Sequence, residues 1–170
     1  MTKFYSFIKT AILSTIYFYY RISNKANKKV LIKSELGEYK YRNIRVPSRI
    51  FTPLTSSKKP MGNLSVMIGI FQEADFQYCL IYDVFVKSIY RRRHIAEKLI
   101  ISAIKFLRKE KYNSVIAIIR IHNKASIDLF EKMGFEIVKE EDLFSYERKE
   151  VLHFKEPVLV ARYSITNDEK

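Results

Sequence analysis

The sequence predicts a single α/β domain in which a mixed β-sheet carries helices on both faces, with an apolar helix ahead of it. Three observations lead there. The chain has 170 residues, enough for one continuous core and too few for two comfortable domains. Between residues 76 and 121 the apolar pattern runs strand, helix, strand, the order of a βαβ unit. Ser114 to Ile121 (SVIAIIRI) is a nearly continuous β-branched run, the pattern of a central strand covered on both sides.

Composition narrows the class further. Hydrophobic residues make up 48% and aromatics 14%, so the chain can bury enough apolar surface to offset its conformational entropy, which excludes general disorder. The single cysteine, Cys79, forms no internal disulfide, and His94, His122 and His153 beside it are too few for a thiolate–histidine zinc site. A reducing, cytoplasmic compartment is the expectation, and no metal is expected. Net charge is +13 and unevenly spread. Residues 1–60 hold 13 Lys and Arg against Glu35 and Glu38, which leaves 18 against 16 in the remainder. That asymmetry predicts a polyanionic partner for residues 1–60, either an anionic membrane surface or nucleic acid; the alternative is a generally basic soluble protein.

Taken in order, Phe4 to Tyr20 has Lys9 as its only charge, with apolar residues at Phe4, Ile8, Ala11, Ile12, Ile16, Tyr19 and Tyr20 in helical spacing. Tyr5, Phe7, Leu13, Tyr17 and Phe18 fill the other faces, so residues 1–28 are expected to form an apolar and basic N-terminal helix that needs cover. Its uncharged stretch, Thr10 to Tyr20, is short for a bilayer. The helix could pack on a sheet, or lie in a membrane interface with Arg21, Lys25, Lys28 and Lys29 on the phosphates. A signal peptide is disfavoured by the lack of a small-x-small cleavage site.

Lys29 to Leu36 is expected as a strand, Gly37 as a turn, Glu38 to Val46 as a second strand, and Pro47 to Asn63 as a loop. Leu64 to Phe71 and Phe76 to Val86 read as an antiparallel hairpin. Ile95, Ala96, Leu99, Ile100, Ala103, Ile104 and Leu107 share one face of a helix ending near Lys109. Lys124 to Met133 is a second, short helix with Gly134 as its left-handed cap. Phe135 to Lys139 and Pro157 to Ile165 close the sheet, separated by a charged excursion, and Thr166 to Lys170 is a frayed tail. The main domain is thus 29–165 and the tail 166–170.

Two segments carry chemistry. Val84 to Ala96 (VFVKSIYRRRHIA) leads from a strand into a helix N-terminus, where unpaired backbone N–H groups, the helix dipole and three arginines favour an anion. After the next strand comes Asn123 to Phe135 (NKASIDLFEKMGF). Together these resemble the GNAT-type N-acetyltransferase superfamily. Arg91, His94 and Ala96 take the three defining places of its pyrophosphate loop, (Gln/Arg)-x-x-Gly-x-(Gly/Ala). Asn123, Ala125 (shifted to the second place after Asn), Glu131, Lys132, Gly134 and Phe135 match its second stretch. The resemblance covers about Leu64 to Ile165, with the motifs inside 76–135.

The resemblance implies a GNAT-like splayed sheet in which strands Phe76–Val86 and Ser114–Ile121 part around acetyl-CoA or another acyl-CoA. It implies that the pantetheine arm bonds backbone at Phe85 and Val86. The pyrophosphate would meet Arg91 and the amides of Arg92, Arg93, His94, Ile95 and Ala96, and Asn123 would hold the far end. Asp83 falls where polyamine-type members carry an acidic residue and is the implied base, with Tyr82 in place of its acidic neighbour; the alternative is an Asp bonded to a neighbouring strand or loop. Two departures stand out: His94 replaces a glycine, and Phe130 occupies the cofactor-side position where many members have a proton-donating tyrosine. Water or Ser126 would then have to supply the proton. The expected function is acyl-CoA-dependent N-acyl transfer, in the simplest case of acetyl, to a primary amine of a small molecule, protein or tRNA-linked acceptor. Its rival is a catalytically degenerate GNAT-fold protein that binds CoA or serves as a scaffold. The expected location is cytoplasmic, with peripheral membrane contact through residues 1–60 as the variant.

Overall fold

The computed structural model describes residues 18–22, 30–41, 44–73, 76–151 and 154–165. Within them lie β1 (Phe18–Ile22), β2 (Val30–Tyr41), β3 (Ile44–Leu54), β4 (Gly62–Glu73), β5 (Phe76–Val86), α1 (Ile95–Lys109), β6 (Ser114–Arg120), α2 (Lys124–Lys132), β7 (Glu136–Val138), α3 (Ser145–Val151) and β8 (Val158–Ser164). The strands form one eight-stranded sheet in the order β1-β2-β3-β4-β5-β6-β8-β7. Every pairing is antiparallel except β5 with β6, the βαβ pair that α1 joins.

Alternation along the central strands sends side chains into two cores. On one face Cys79 and Ile81 of β5 with Val115, Ala117 and Ile119 of β6 meet Leu99, Ile100, Ala103 and Leu107 of α1. On the other, Tyr78, Leu80, Ile116 and Val160 meet Leu143 and Val151 from the segment around α3. The sheet therefore carries helices on both faces, because β5 and β6 are apolar on both.

Three expectations are corrected. Phe18–Ile22 is a strand paired with Val30–Ser34, so the helix cannot extend through Tyr20; the other residues expected in it, 1–17 and 23–28, like the tail 166–170 and His153, lie outside the described residues. Gly37 is not a turn but sits mid-strand opposite Ser48. Pro47 to Leu54 is not loop but β3, and the connection shrinks to a turn closed by Lys58 N to Thr55 O (2.9 Å) and a Leu54–Pro60 bridge. The prolines are tolerated because the β3–β4 ladder covers only Ser48 to Phe51, leaving Pro47 and Pro53 just beyond its ends. The charged excursion contains α3, held down by Glu147, which is fully buried and takes Arg162 Nε at 2.8 Å.

Candidate active site

The site begins where β5 and β6 separate. Their parallel register runs from Tyr78 opposite Ser114 to Ile81 opposite Ala117 and stops, while β5 continues to Val86 and β6 to Arg120. Backbone groups along that edge of β5 are thereby released from the ladder and open to a ligand. Just past the parting, β5 bulges: Asn63 pairs Phe85 and Ser65 pairs Tyr82, so Asp83 and Val84 face the single residue Leu64. Asp83 takes the extra turn with φ +54°, a conformation a short polar side chain tolerates. Asn63 Nδ2 secures it, donating to Asp83 Oδ2 at 2.6 Å and to its carbonyl at 3.1 Å. Asp83 and Phe85 remain exposed.

Gly62 lets this end of β5 come close. A Cβ there would lie 2.1 Å from the Phe85 carbonyl oxygen, so no side chain fits without displacing β5. Lys87 N then donates to Met61 O at 3.0 Å, and a short 3-10 turn, Ser88–Tyr90, leads into the arginines.

Arg91 is partly committed within the loop, its Nε donating to Val86 O at 3.0 Å. Arg92 and Arg93 are exposed, and the Arg93 guanidinium lies 5.9 Å over the Tyr90 ring. Arg92 and His94 both have positive φ, +60° and +55°, so the backbone reverses twice before α1 and makes a concavity of the kind that holds anions. The first helical bond of α1 runs from Lys98 N to His94 O (3.2 Å), so the amides of Ile95, Ala96 and Glu97 precede it and are available to a ligand. His94, placed where glycine was expected, adopts the left-handed conformation glycine would have used. Its ring turns onto the helix, Nδ1 meeting Glu97 Oε1 at 2.8 Å.

That carboxylate also receives Lys132 Nζ from the end of α2 at 2.8 Å. Partial burial opposes ionisation of Glu97, but the hydrogen bonds from Lys132 and His94 outweigh it and hold its pKa below the ordinary value.

Asn123 is the N-cap of α2, its Oδ1 accepting from Ser126 N at 3.2 Å, which leaves its amide nitrogen to donate elsewhere. Phe130 is only 3% exposed and packs edge to face on Phe135 with centroids 4.9 Å apart. A Schellman motif sets that contact: Phe135 N bonds Phe130 O (3.0 Å) and Gly134 N bonds Glu131 O (2.9 Å), with Gly134 at φ +84°. His122 is exposed at the turn after β6.

The structure thus brings Asp83, Phe85, Val86 and the Arg91 to Ala96 loop to the carboxyl end of β5. Asn123 and Phe130 lie on α2, which Lys132 ties to the first turn of α1. Sequence reading missed Asn63, Gly62 and Glu97 as parts of this assembly, and saw Lys132 as a motif match without its partner Glu97. The spacing of His94 and Glu97, N-cap and third helical residue, resembles a capping box and was the one local signal available. A strand edge released past the parting of β5 and β6, leading to the N-terminal amides of α1 and the arginines, suits a ligand with a peptide-like arm and a phosphate-bearing end, as in a coenzyme A thioester.

Known proteins share this fold. The sequence profile of the Acetyltransferase (GNAT) family matches residues 19–135. Among solved structures, an acetyltransferase of the GNAT family from Staphylococcus aureus superimposes with TM-score 0.56 at 14% identity, over 70% of this chain and 68% of its own. NAA60 of Arabidopsis thaliana in complex with acetyl-CoA gives TM-score 0.54 at 17% identity, over 69% and 76%. A NatC complex bound to Gag peptide and CoA gives TM-score 0.55 at 20% identity, over 69% and 71%. At such identities the likeness is one of fold. No curated protein sequence matches the chain.

Proposed function

Since the chain belongs to the GNAT family of acetyltransferases, we propose that it moves an acyl group, acetyl in the simplest case, from acyl-CoA to a primary amine. The observation that carries the reading is the convergence at one place of the β5–β6 parting, the β5 bulge and the arginine-flanked N-terminus of α1.

Bound acyl-CoA supplies a thioester whose carbonyl carbon is open to attack by an amine. The chain's own residues would do the rest. The amides of Ile95, Ala96 and Glu97, with Arg92 and Arg93, would hold the pyrophosphate, and the released edge of β5 near Phe85 and Val86 would hold the arm. Asn123 would donate from its amide nitrogen. Asp83, exposed at the bulge, would accept a proton from the amine, with Asn63 fixing the carboxylate's direction. With phenylalanine at position 130, the departing thiolate would take its proton from water or Ser126.

Titration calorimetry with acetyl-CoA tests the first half: binding should weaken as salt rises and as Arg92 and Arg93 are changed together to Ala. A panel of amines, small-molecule, peptide N-terminal and aminoacyl-tRNA, followed by release of free CoA thiol, tests the second. No binding by the wild type at millimolar cofactor would sink the reading. Binding without turnover on any amine would favour a degenerate GNAT-fold protein that keeps its ligand, a reading to which the buried, proton-less Phe130 lends support.

A further inference from the structure

Glu97 poses an electrostatic problem for an anion site. It lies in the first turn of α1, the turn whose amides would receive the pyrophosphate, so its negative charge competes for the same positive helix end. An unneutralised carboxylate there would repel the ligand. Lys132 Nζ and His94 Nδ1 both reach its Oε1, each at 2.8 Å. His94 is not a fixed cation, since an imidazole is charged only when protonated. Lys132 is the permanent positive charge in the trio, and it arrives from a different helix, 35 residues along the chain.

We propose that Lys132 is a positioning residue for cofactor binding: by neutralising Glu97 it keeps the N-terminal turn of α1 net attractive to an anion, and it fixes α2 against that turn. The same contact explains how a histidine can replace glycine at position 94. Glu97 holds the imidazole along the helix, at 2.8 Å, and so keeps the ring from standing over the amides. Lys132 need not touch the ligand to act. Its side chain is 58% exposed and Glu97's 23%, so neither is a core element whose loss would unfold the domain.

The inference rests on the acyl-CoA reading above, and a charge cycle separates the two. CoA binding is measured by calorimetry at low salt for the wild type, Lys132→Met, Lys132→Arg, Glu97→Gln and the double variant Lys132→Met with Glu97→Gln, alongside thermal melts. Lys132→Met should weaken CoA roughly two- to tenfold, the range of charges at a helix end, with little change in melting temperature. Lys132→Arg should bind like the wild type. Glu97→Gln keeps an acceptor for both partners while removing the charge, so it should bind at least as well as the wild type. The double variant should recover most of the loss. If Lys132→Met binds CoA normally, or if the double variant stays as weak as Lys132→Met, the proposal is overturned, the latter result meaning that Lys132 meets the ligand itself. A wild type that binds no CoA would overturn the cofactor reading and this one with it.

Discussion

Asn63 on β4 grips Asp83 on β5 twice with one nitrogen, at the carboxylate (2.6 Å) and at the backbone carbonyl (3.1 Å). The pair unites shape and chemistry: the same amide that stabilises a left-handed residue in the bulge also points its carboxylate. Removing the charge and removing the grip should therefore have different signatures. Asp83→Asn keeps the backbone contact and should lower kcat by about 10²–10⁴-fold if Asp83 is the base, leaving CoA affinity unchanged. Asn63→Ala should lower kcat by about tenfold and also destabilise the fold, because a bulge residue at φ +54° loses its tether. Steady-state kinetics and melts on both variants check this. Equal kcat in Asp83→Asn and wild type would place the base elsewhere.

Phe130 occupies the position where a tyrosine could protonate the thiolate, but its ring edge is spent on Phe135, which in turn tilts against Tyr163 at 5.1 Å. Phe130→Tyr would push a hydroxyl into packed apolar surroundings and is expected to cost about 1–3 kcal/mol of stability. Turnover should stay within about twofold of wild type, as the ring cannot serve as an acid without leaving that packing. A chemical-denaturation curve and kcat on the same variant test both halves. A tenfold rise in kcat would show that the ring opens onto the reacting sulfur.

Gly62 and Gly134 should fail differently when changed to Ala. At Gly134 a Cβ has room, its nearest neighbour being Tyr163 Cε2 at 3.6 Å, so the cost is the left-handed backbone alone, about 1–2 kcal/mol. At Gly62 the Cβ would strike the Phe85 carbonyl at 2.1 Å, which forces β5 to move at the bulge. Gly62→Ala should therefore lose more stability than Gly134→Ala and lose CoA affinity as well, whereas Gly134→Ala should bind CoA normally. Melts and calorimetry on the two variants decide it.

The contrast between legible and illegible parts follows the range of the forces involved. The helix Ile95–Lys109 and the strand Ser114–Arg120 were readable because periodicity is a local property. The cap at Gly134 was readable for the same reason. Gly37, Pro47 and Pro53 read as breakers, yet their fate depends on which edge of β3 is paired and over what length, which no local pattern encodes. Helix α3 (SYERKEV) has no apolar stripe and exists through Glu147 bonding Phe144 N at 2.9 Å and Arg162 across the fold. At the site, the loop and its arginines were visible in one stretch of chain. Asn63 with Asp83 and Lys132 with Glu97 are separated by 20 and 35 residues and become pairs only on folding. Arg49, one of the 13 cations of residues 1–60, is 5% exposed, bonds Ser34 and lies over the Phe106 ring at 4.9 Å, a burial that charge counting along the chain does not reveal.

Two groups should mark opposite ends of the pH–stability curve. Glu97 has its folded-state pKa below the ordinary value, so its contribution is present above the unfolded carboxylate range and is lost as pH falls through the depressed folded value. Tyr112 is pushed up to about 12 by burial, with Cys79 and Glu110 adding to it. Its contribution is complete below pH 10 and is lost as pH rises from 10 toward about 12. Denaturation series at acid and alkaline pH should show Glu97→Gln flattening the acid limb and Tyr112→Phe the alkaline one. Unchanged limbs would mean that other groups control them.

The basic first third can be tested for a polyanionic partner with a cut chosen from the fold. β1 pairs with β2 from Phe18 to Ile22, so deleting residues 1–17 leaves β1 in the chain, whereas a cut at residue 23 would strip it away. Residues 4–16 hold eight apolar or aromatic residues of thirteen, with Lys9 as their one charge, a composition suited to the interface of an anionic bilayer and poorly suited to RNA. Full-length protein should therefore bind anionic liposomes with a component that persists at high salt, and the 18–170 form should lose it. Binding to RNA that falls steeply with salt and survives the deletion would shift the partner to nucleic acid and the contact to lysines and arginines downstream of the cut. Arg49, being buried, should be neutral in either assay when changed to Lys. If the 18–170 form melts well below the full chain, residues 1–17 belong to the core, and the charge asymmetry needs no polyanion to explain it.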